Sequence, residues 1–286
     1  MNAARRYTLT LSCPDRVGIV AAVSTFLAKH NGWIVEANHH ADSESVRYFM
    51  RQEILADSLP FDLDEFKHLF TAVAQPFRME WRVADSAVKH RVVILVSRED
   101  HCLYDLLQRW RVQEFNFDIV AVISNHDTLR GFVEWHGIPF HHVPVPAQHK
   151  GPAFAELARV VEQVRGDTLV LARYMQVLPA ELCVAYRWRI VNIHHSFLPS
   201  FIGARPYHQA FARGVKLIGA TCHYVTPELD AGPIIEQDTV RVDHSDSVED
   251  LMHFGRDIEK TVLARGLRYH VEDRVLVDGN KTIVFR

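Results

Sequence analysis

Three polar side chains with complementary chemistry lie within residues 189–238: Asn192, His194 and Asp230. Asn192 and His194 come where a short apolar run ends, and Asp230 lies in a turn that contains proline and glycine. An amide can donate to a developing oxyanion, an imidazole can move protons, and a carboxylate can activate water or orient the histidine. The set therefore predicts attack on a carbonyl group.

Two strands and a loop must bring these side chains together. Ile190, Val191 and Ile193 predict the end of a buried strand, and residues 217–225 predict a second strand that runs into the turn 227–233. Between them, Gly203 and Pro206 mark a loop that feeds a helix, with Pro206 suited to its first turn.

The ordered series Asn192, His194, Leu198-Pro199 and Asp230-Ala231-Gly232 resembles the signature of the folate-dependent formyltransferase fold family. The resemblance implies that Asn192, His194 and Asp230 are catalytic. Residues 171–178 resemble the family segment whose backbone contacts the pterin, although Gln176 stands where some members carry arginine. The family resemblance therefore implies that the substrate is contacted by Met175, Val177, Leu178, Leu229 and Gly232.

Simpler interpretations exist for several of these residues. Asn192 alone would fit a loop cap. His195 is expected to pack or to orient the loop, and His223 either supports the site or belongs to ordinary packing. An apolar run such as 171–178 is otherwise core. We therefore assign His195 and His223 a supporting role.

From Arg91 onward, predicted strands and helices alternate. This pattern is typical of an α/β, doubly wound, mainly parallel sheet with helices on both faces, in which ligands bind outside the carboxyl ends of strands. An antiparallel strand at 234–242, a helix from Ser247 and a terminal hairpin over 271–285 complete it. The predicted strands are 92–96, 117–123, 140–142, 168–171 and 189–193, and the predicted helices are 101–112, 127–136, 152–165 and 179–186.

Residues 6–84 predict a separate unit with the order β-α-β-β-α-β, the ferredoxin-like plan. Its first turn, Asp15-Arg16-Val17-Gly18, resembles the opening of an ACT domain, which implies an amino-acid effector at Asp15, Arg16 and Gly18. Alternatively, Asp15 caps a helix and Arg16 is solvated. We predict a domain at 6–84 for regulation or oligomerisation, a linker at 85–90 and a catalytic domain at 91–286.

Composition excludes several classes of function. A net charge of −3 offers nothing to nucleic acid or to an anionic membrane, and no apolar run has membrane-spanning length. Four scattered cysteines favour a reduced, cytoplasmic protein over a disulfide framework. The 18 histidines show no metal-ligand spacing, so we predict neither a metal site nor a cofactor.

The turn Ser97-Arg98-Glu99-Asp100-His101 bears on the acceptor of the formyl group. Glycinamide ribonucleotide formyltransferases have a glycine-rich phosphate-binding turn here, whereas two carboxylates make a poor phosphate cradle. The chain also lacks the basic C-terminal extension of methionyl-tRNA formyltransferases. Its combination of domains resembles the hydrolytic members of the family.

This resemblance implies hydrolysis of 10-formyltetrahydrofolate to formate and tetrahydrofolate, which supplies formate for purine synthesis. It also implies a homo-oligomer with a folate substrate and with glycine or methionine as candidate effectors. The alternatives are a formyltransferase acting on an amine, and a non-catalytic protein that senses amino acids and folate.

Overall fold

The structure, a computed structural model, describes residues 4–200 and 206–286. The chain forms two compact units. One contains the residues up to Lys89 together with Glu272–Asp278 and Thr282–Arg286, and the other contains His90–Val271 and Gly279–Lys281. In the described ranges, no helix combines the length and the apolar character that crossing a bilayer requires. The predicted loop glycine, Gly203, lies outside these ranges.

The first unit is a four-stranded antiparallel sheet with two helices, in the chain order β-α-β-β-α-β. Its strands follow the spatial order β2-β3-β1-β4. The alternating strand positions Leu9 and Leu11 are buried in one core with Val23, Phe66 and Phe70 of the helices. The elements are β1 (Arg6–Pro14), α1 (Ile19–Lys29), β2 (Ile34–Asp42), β3 (Arg47–Leu55), α2 (Leu63–Ala74) and β4 (Glu80–Asp85).

The two helices of this unit begin in different ways, one with a side-chain cap and one after a glycine. Asp62 caps α2, because its carboxylate accepts the backbone N–H groups of Asp64 and Glu65. Helix α1 instead follows Gly18, whose φ of 98° lies in the left-handed region, and it has no side-chain cap. The alternative in which Asp15 caps α1 is therefore wrong. Strand β4 begins at Glu80, shortly after a single 3₁₀ turn, Gln75–Phe77.

The second unit contains a seven-stranded sheet with the order β11-β10-β9-β8-β5-β6-β7. Strands β5 to β9 are parallel, and β10 and β11 are antiparallel, which confirms the mainly parallel α/β fold. Its elements are β5 (His90–Val96), α3 (His101–Arg111), β6 (Phe117–Ser124), α4 (Arg130–Trp135), β7 (Phe140–His142), α5 (Lys150–Gln163), β8 (Thr168–Leu171), α6 (Ala180–Ala185), β9 (Ile190–His194), α7 (Pro206–Arg213), β10 (Leu217–Tyr224), β11 (Ile234–Arg241) and α8 (Val248–Val271).

Apolar side chains attach the helices to this sheet. Phe154 and Leu157 of α5, and Leu182 of α6, share a buried cluster with the strand residues Val93 and Leu95. Helix α8 packs closely on β10, because a Cβ at Gly266 would collide with the Cys222 side chain. Cys222 and His223 are consecutive on a strand and point to opposite faces. Helix α8 therefore covers the face of β10 away from His223.

The chain ends in the predicted hairpin, β12 (Val275–Asp278) and β13 (Lys281–Val284). Most of this segment belongs to the first unit, so the predicted catalytic domain 91–286 extends too far. The reason is a buried cation on β3. Arg51 is 1% exposed, and its guanidinium donates to the carbonyl oxygens of Glu272 at 2.9 Å and Asp273 at 3.2 Å and to the Glu53 carboxylate at 2.6 Å.

Candidate active site

Strand register places the predicted amide and imidazoles on one face of the sheet. Asn192 and His194 are two residues apart on β9, so their side chains point the same way. Asn192 lies directly opposite His223 on antiparallel β10. The Asn192 amide nitrogen is 3.1 Å from His223 Nε2, which places His223 in contact with the site. The set therefore lies on a sheet face as well as near the strand ends.

Asp230 reaches this face from the loop between β10 and β11. Its φ of 54° is left-handed, a conformation that aspartate tolerates better than most residues. Its Oδ1 lies 3.3 Å from His194 Nδ1 and 3.8 Å from His223 Nε2. The His194 hydrogen bond lowers the pKa of Asp230, aided by the charges of nearby histidines, so the carboxylate is ionised at neutral pH.

His194 is buried, and only one of its ring nitrogens is occupied. Nδ1 faces Asp230, whereas Nε2 has no hydrogen-bond partner among the described residues. His194 also lines the main cavity. A buried polar atom without a partner is costly in a resting protein, so Nε2 is available to a ligand.

A buried hydroxyl holds the segment that follows His194. Thr221 Oγ1 accepts from the Leu198 backbone N–H at 3.0 Å and from Gln237 Nε2 at 2.9 Å, and it donates to the Ser196 carbonyl at 2.8 Å. Thr221 pairs with His194 across the strands. It therefore ties the loop to the strand position opposite His194, a role that the sequence analysis did not predict.

The main cavity has a volume of about 390 Å³ and contains all three predicted catalytic side chains in its wall. Met175, Val177, Leu178 and Leu229, for which substrate contacts are predicted, also line it. Gly232 does not belong to the lining residues. A Cβ at Gly232 would collide with the Tyr224 carbonyl oxygen, so this glycine serves the close packing of the loop instead of substrate contact.

The apolar rim of the cavity is held by polar groups at the ends of β5 and β6. Ser97 Oγ accepts from the backbone N–H of Met175 at 2.9 Å and donates to Asn125 Oδ1 at 2.7 Å. The side chains of Met175 and Val177 are more than half exposed, as is that of Leu229 across the cavity. Exposed apolar side chains around a concave site fit a flat, partly apolar ligand.

The same cavity wall contains a cation that the sequence analysis did not single out. Arg173, with a left-handed φ of 62°, lines the cavity and lies 3.4 Å from the buried carboxylate of Glu259 on α8. Glu259 also accepts from Tyr207 Oη at 2.6 Å and bonds His101 Nε2 at 2.8 Å. Burial, with help from Arg173, lowers the pKa of His195 to about 4, so its ring is neutral at pH 7.

One group among the described residues has the donor atoms of a metal site: His101, Cys102 and Glu259. Its carboxylate oxygens are already engaged by His101, Tyr207 and Arg173. Burial raises the pKa of the Cys102 thiol far above its usual range, which keeps it protonated. Because a cation already sits beside the carboxylate, these residues do not suit a metal ion.

The predicted effector residues lie in the first unit. Arg16 donates to the Pro76 carbonyl at 2.5 Å and stacks over the Phe77 ring at 4.2 Å, so it is not simply solvated. Asp15 is exposed, and Gly18 has the positive φ that opens α1. The turn is therefore ordered around its glycine.

The chain is similar to known proteins over its whole length. The sequence profile of the formyl transferase family matches residues 90–267. A formyltetrahydrofolate deformylase from Corynebacterium sp. (strain P-1) is 46% identical over 286 residues, covering 100% of both chains, and one from Bacillus subtilis is 47% identical over 278 residues, covering 97% of this chain and 93% of the relative. A crystal structure of a formyltetrahydrofolate deformylase from Pseudomonas syringae superposes with a TM-score of 0.99 at 63% identity, covering 100% of this chain and 96% of that one.

Proposed function

The chain belongs to the formyl transferase family, and we propose that it is an enzyme that hydrolyses 10-formyltetrahydrofolate to formate and tetrahydrofolate. The observation that carries this proposal is the contact of His194 with ionised Asp230 at 3.3 Å, beside the Asn192 amide in one cavity. Full-length relatives at 46% and 47% identity are named for this activity. The non-catalytic sensor is not favoured, because the catalytic side chains are all present.

The attack step needs a base beside the cavity. Asp230 is ionised, because its hydrogen bond with His194 lowers its pKa, and a carboxylate oxygen can accept from water. Water oxygen bonds to the formyl carbon as its proton passes to Asp230. Positioned acid–base groups contribute roughly 10²- to 10⁴-fold in rate.

The tetrahedral intermediate carries a negative charge on the formyl oxygen. The Asn192 amide can donate an N–H to it, and in its imidazolium form His194 donates Nδ1–H to Asp230 and Nε2–H to the oxyanion. A preorganised donor in a water-poor site is worth roughly 3–4 kcal/mol. Both groups sit on β9, a rigid element, which suits this requirement.

Collapse of the intermediate breaks the bond between the formyl carbon and N10 of the folate. The leaving nitrogen takes a proton from His194. The proton that Asp230 accepted from water then passes to His194 and restores both side chains to their starting forms. The products are formate and tetrahydrofolate, and the atoms balance with one water consumed. We propose that these side chains suffice without a metal or cofactor.

The cavity suits the folate for two reasons. Its rim presents Met175, Val177 and Leu229, whose apolar surfaces can cover a planar ring system. The Ser97 hydroxyl accepts from the Met175 backbone N–H and so fixes this segment, which holds the neighbouring backbone groups in place for a pterin edge. Leu178 closes the apolar wall.

A direct assay tests the proposed function. The purified chain is incubated with 10-formyltetrahydrofolate, first with no amine and then with glycinamide ribonucleotide, and formate, tetrahydrofolate and formylated product are measured. We expect equimolar formate and tetrahydrofolate in both incubations and no consumption of the ribonucleotide. Formylglycinamide ribonucleotide as the main product would make the chain a transferase.

We propose that the first unit is an ACT-type regulatory domain and that it pairs with a second copy of the chain. Its edge strand β2 is preceded by Trp33, which is 69% exposed, and Ile34 and Val35 of the strand are also exposed. Apolar side chains along an open sheet edge favour association. The Asp15–Gly18 turn would then bind a small amino acid such as glycine or methionine.

The cellular setting is also a proposal. The four cysteines are buried free thiols, which supports a reducing, cytoplasmic compartment. Hydrolysis there would restore tetrahydrofolate to the one-carbon pool and release formate for purine synthesis.

A further inference from the structure

We propose that Arg173, held by Glu259, restricts the formyl acceptor to water. This inference rests on the proposed function and concerns the choice between water and an amine at the same cavity. Arg173 and Glu259 are separate from the proposed catalytic residues Asn192, His194 and Asp230, and the fold brings them together.

The first observation is the backbone of Arg173. Its φ of 62° lies in the left-handed region, where a side chain is strained and glycine is favoured. The residue lies two positions after the end of β8 and lines the cavity together with Asn192, His194 and Asp230. A long cationic side chain thus occupies a position at the cavity wall that its backbone conformation makes unfavourable.

The second observation is the buried carboxylate that holds Arg173. Glu259 is 1% exposed and approaches the guanidinium at 3.4 Å, and it is itself fixed by Tyr207 at 2.6 Å and by His101 at 2.8 Å. Tyr207 can reach it only because residue 255 is glycine, since a Cβ there would collide with the Tyr207 ring and hydroxyl. The Arg173 side chain is 13% exposed and therefore has little freedom to leave the wall.

His195 shows how near this cation is to the reacting groups. The ring centroids of His194 and His195 are 5.1 Å apart, and the charges of Arg173, Glu259 and Asp230 all act on the His195 ring. Within residues 4–200 and 206–286, the Nε of Arg173 has no hydrogen-bond partner. The cation therefore lies in the same cavity wall as the catalytic pair, paired with Glu259 but without a hydrogen bond at Nε.

A fixed cation treats the two kinds of acceptor differently. An amine that attacks the formyl carbon forms a C–N bond and leaves a positive charge on its nitrogen until a proton is lost, and many amines are already protonated in solution. The guanidinium repels both species and also fills space that an amine substituent needs. Water is small, and it gives its proton to Asp230 as the C–O bond forms.

The test follows the fate of a ¹³C-labelled formyl group in the presence of glycinamide or hydroxylamine. The variants are R173G, which suits the left-handed φ, R173K, which keeps the charge, and R173G/E259Q, which removes both charges so that Glu259 is not left buried without its cation. NMR measures the fraction of label in formate and in the formylated amine. Wild type without amine reports separately on the proposed function.

We expect wild type and R173K to place nearly all label in formate. In R173G/E259Q the share of formylated amine should rise by at least about tenfold, the scale of discrimination that a single pocket contact supplies. An unchanged product ratio in a folded variant that still consumes the substrate would overturn the proposal. Loss of all turnover in R173G and R173G/E259Q would also overturn it, because Arg173 would then act on the reaction itself and not on the acceptor.

Discussion

His223 Nε2 lies 3.1 Å from the amide nitrogen of Asn192, while His223 Nδ1 lies 2.9 Å from the Tyr224 carbonyl oxygen. A carbonyl only accepts, so Nδ1 must carry the hydrogen. Burial lowers the pKa of His223, which keeps the ring neutral and leaves Nε2 as an acceptor. Asn192 must therefore turn its NH₂ group, and not its oxygen, toward His223. His223 therefore sets the orientation of the Asn192 amide, the proposed donor to the oxyanion.

This relationship predicts a distinct pattern for substitutions at His223. His223→Leu should lower kcat, by less than the roughly 10²- to 10³-fold expected when a donor itself is removed, and should leave KM nearly unchanged. His223→Gln can accept from Asn192 and donate to Tyr224, so it should recover much of kcat. Steady-state kinetics of folded variants measures this.

A double-mutant cycle separates orientation from general stability. In an Asn192→Ala background, His223→Leu should have little further effect on kcat, because there is no amide left to orient. Additive losses across the cycle would show that His223 acts elsewhere.

Asp230 is predicted to be the base of the attack step. Asp230→Asn keeps the shape and a hydrogen bond to His194 but cannot accept the proton of water, so kcat should fall by about 10²- to 10⁴-fold with substrate binding nearly intact. Single-turnover kinetics and folate binding by fluorescence measure the two effects. A folded variant with near-normal turnover would remove Asp230 from the mechanism.

His195 predicts how stability depends on pH. Its pKa falls from an ordinary 6.5 to about 4 in the fold, so between these values the unfolded chain binds the proton that the folded chain refuses. The free energy of unfolding should therefore decrease as pH falls from 6.5 to 4, with a contribution from His195 of roughly 3 kcal/mol. Urea denaturation across this range should show a flatter profile for His195→Gln. Identical slopes for the two proteins would contradict the assignment.

Gly255→Ala tests the contact that lets Tyr207 reach Glu259. Alanine improves helix propensity by up to about 1 kcal/mol, but overpacking against Tyr207 costs roughly 1–3 kcal/mol, so we expect net destabilisation. The matched control is Gly151→Ala in α5, where a Cβ meets nothing within 4 Å, and it should be neutral or stabilising. Thermal unfolding of both variants measures the difference, and equal Tm values would show that α8 adjusts freely.

If the first unit is a regulatory domain, the hydrolysis rate should respond to a small amino acid. Glycine or methionine should change the hydrolysis rate of the full chain, with a coupling of about 1–3 kcal/mol between the two sites. Gly18→Asp places a side chain at a φ of 98° and should remove this response. The rate without effector is the reference for each protein. If none of the amino acids tested changes the rate of the wild-type chain, the first unit does not act as a sensor.

Much of the fold followed from local patterns. The run Thr168–Leu171 is short, apolar and bounded by turn residues, and the strand has those bounds. Asp62 also caps α2 as its position predicts. The extent of strand β2 is harder to predict from the sequence, because the polar residues after Val35 lie on an open edge where no buried face imposes alternation.

The candidate site also contains residues that the sequence predicts and residues that only the structure reveals. Asn192, His194 and Asp230 lie within one segment whose order is informative, and the fold brings them together. Arg173 and Glu259 are far apart in sequence, and only tertiary packing joins them. One signal was present: Glu259 falls on the buried stripe of α8 between Leu251 and Val262, where a charge is costly unless it is paired.

The return of the chain to its first unit has a consequence for how such a protein can be recombined. Arg51 obtains carbonyl partners from Glu272 and Asp273, so a fragment ending at Lys89 would keep the Glu36 and Glu53 carboxylates beside the guanidinium but lose these carbonyl groups and the segment that carries them. Loss of these hydrogen bonds would destabilise the first unit. The first unit therefore cannot be moved between enzymes intact by one crossover. Exchange requires two junctions, before residue 90 and after residue 271, and chimaeras with the first alone should express poorly.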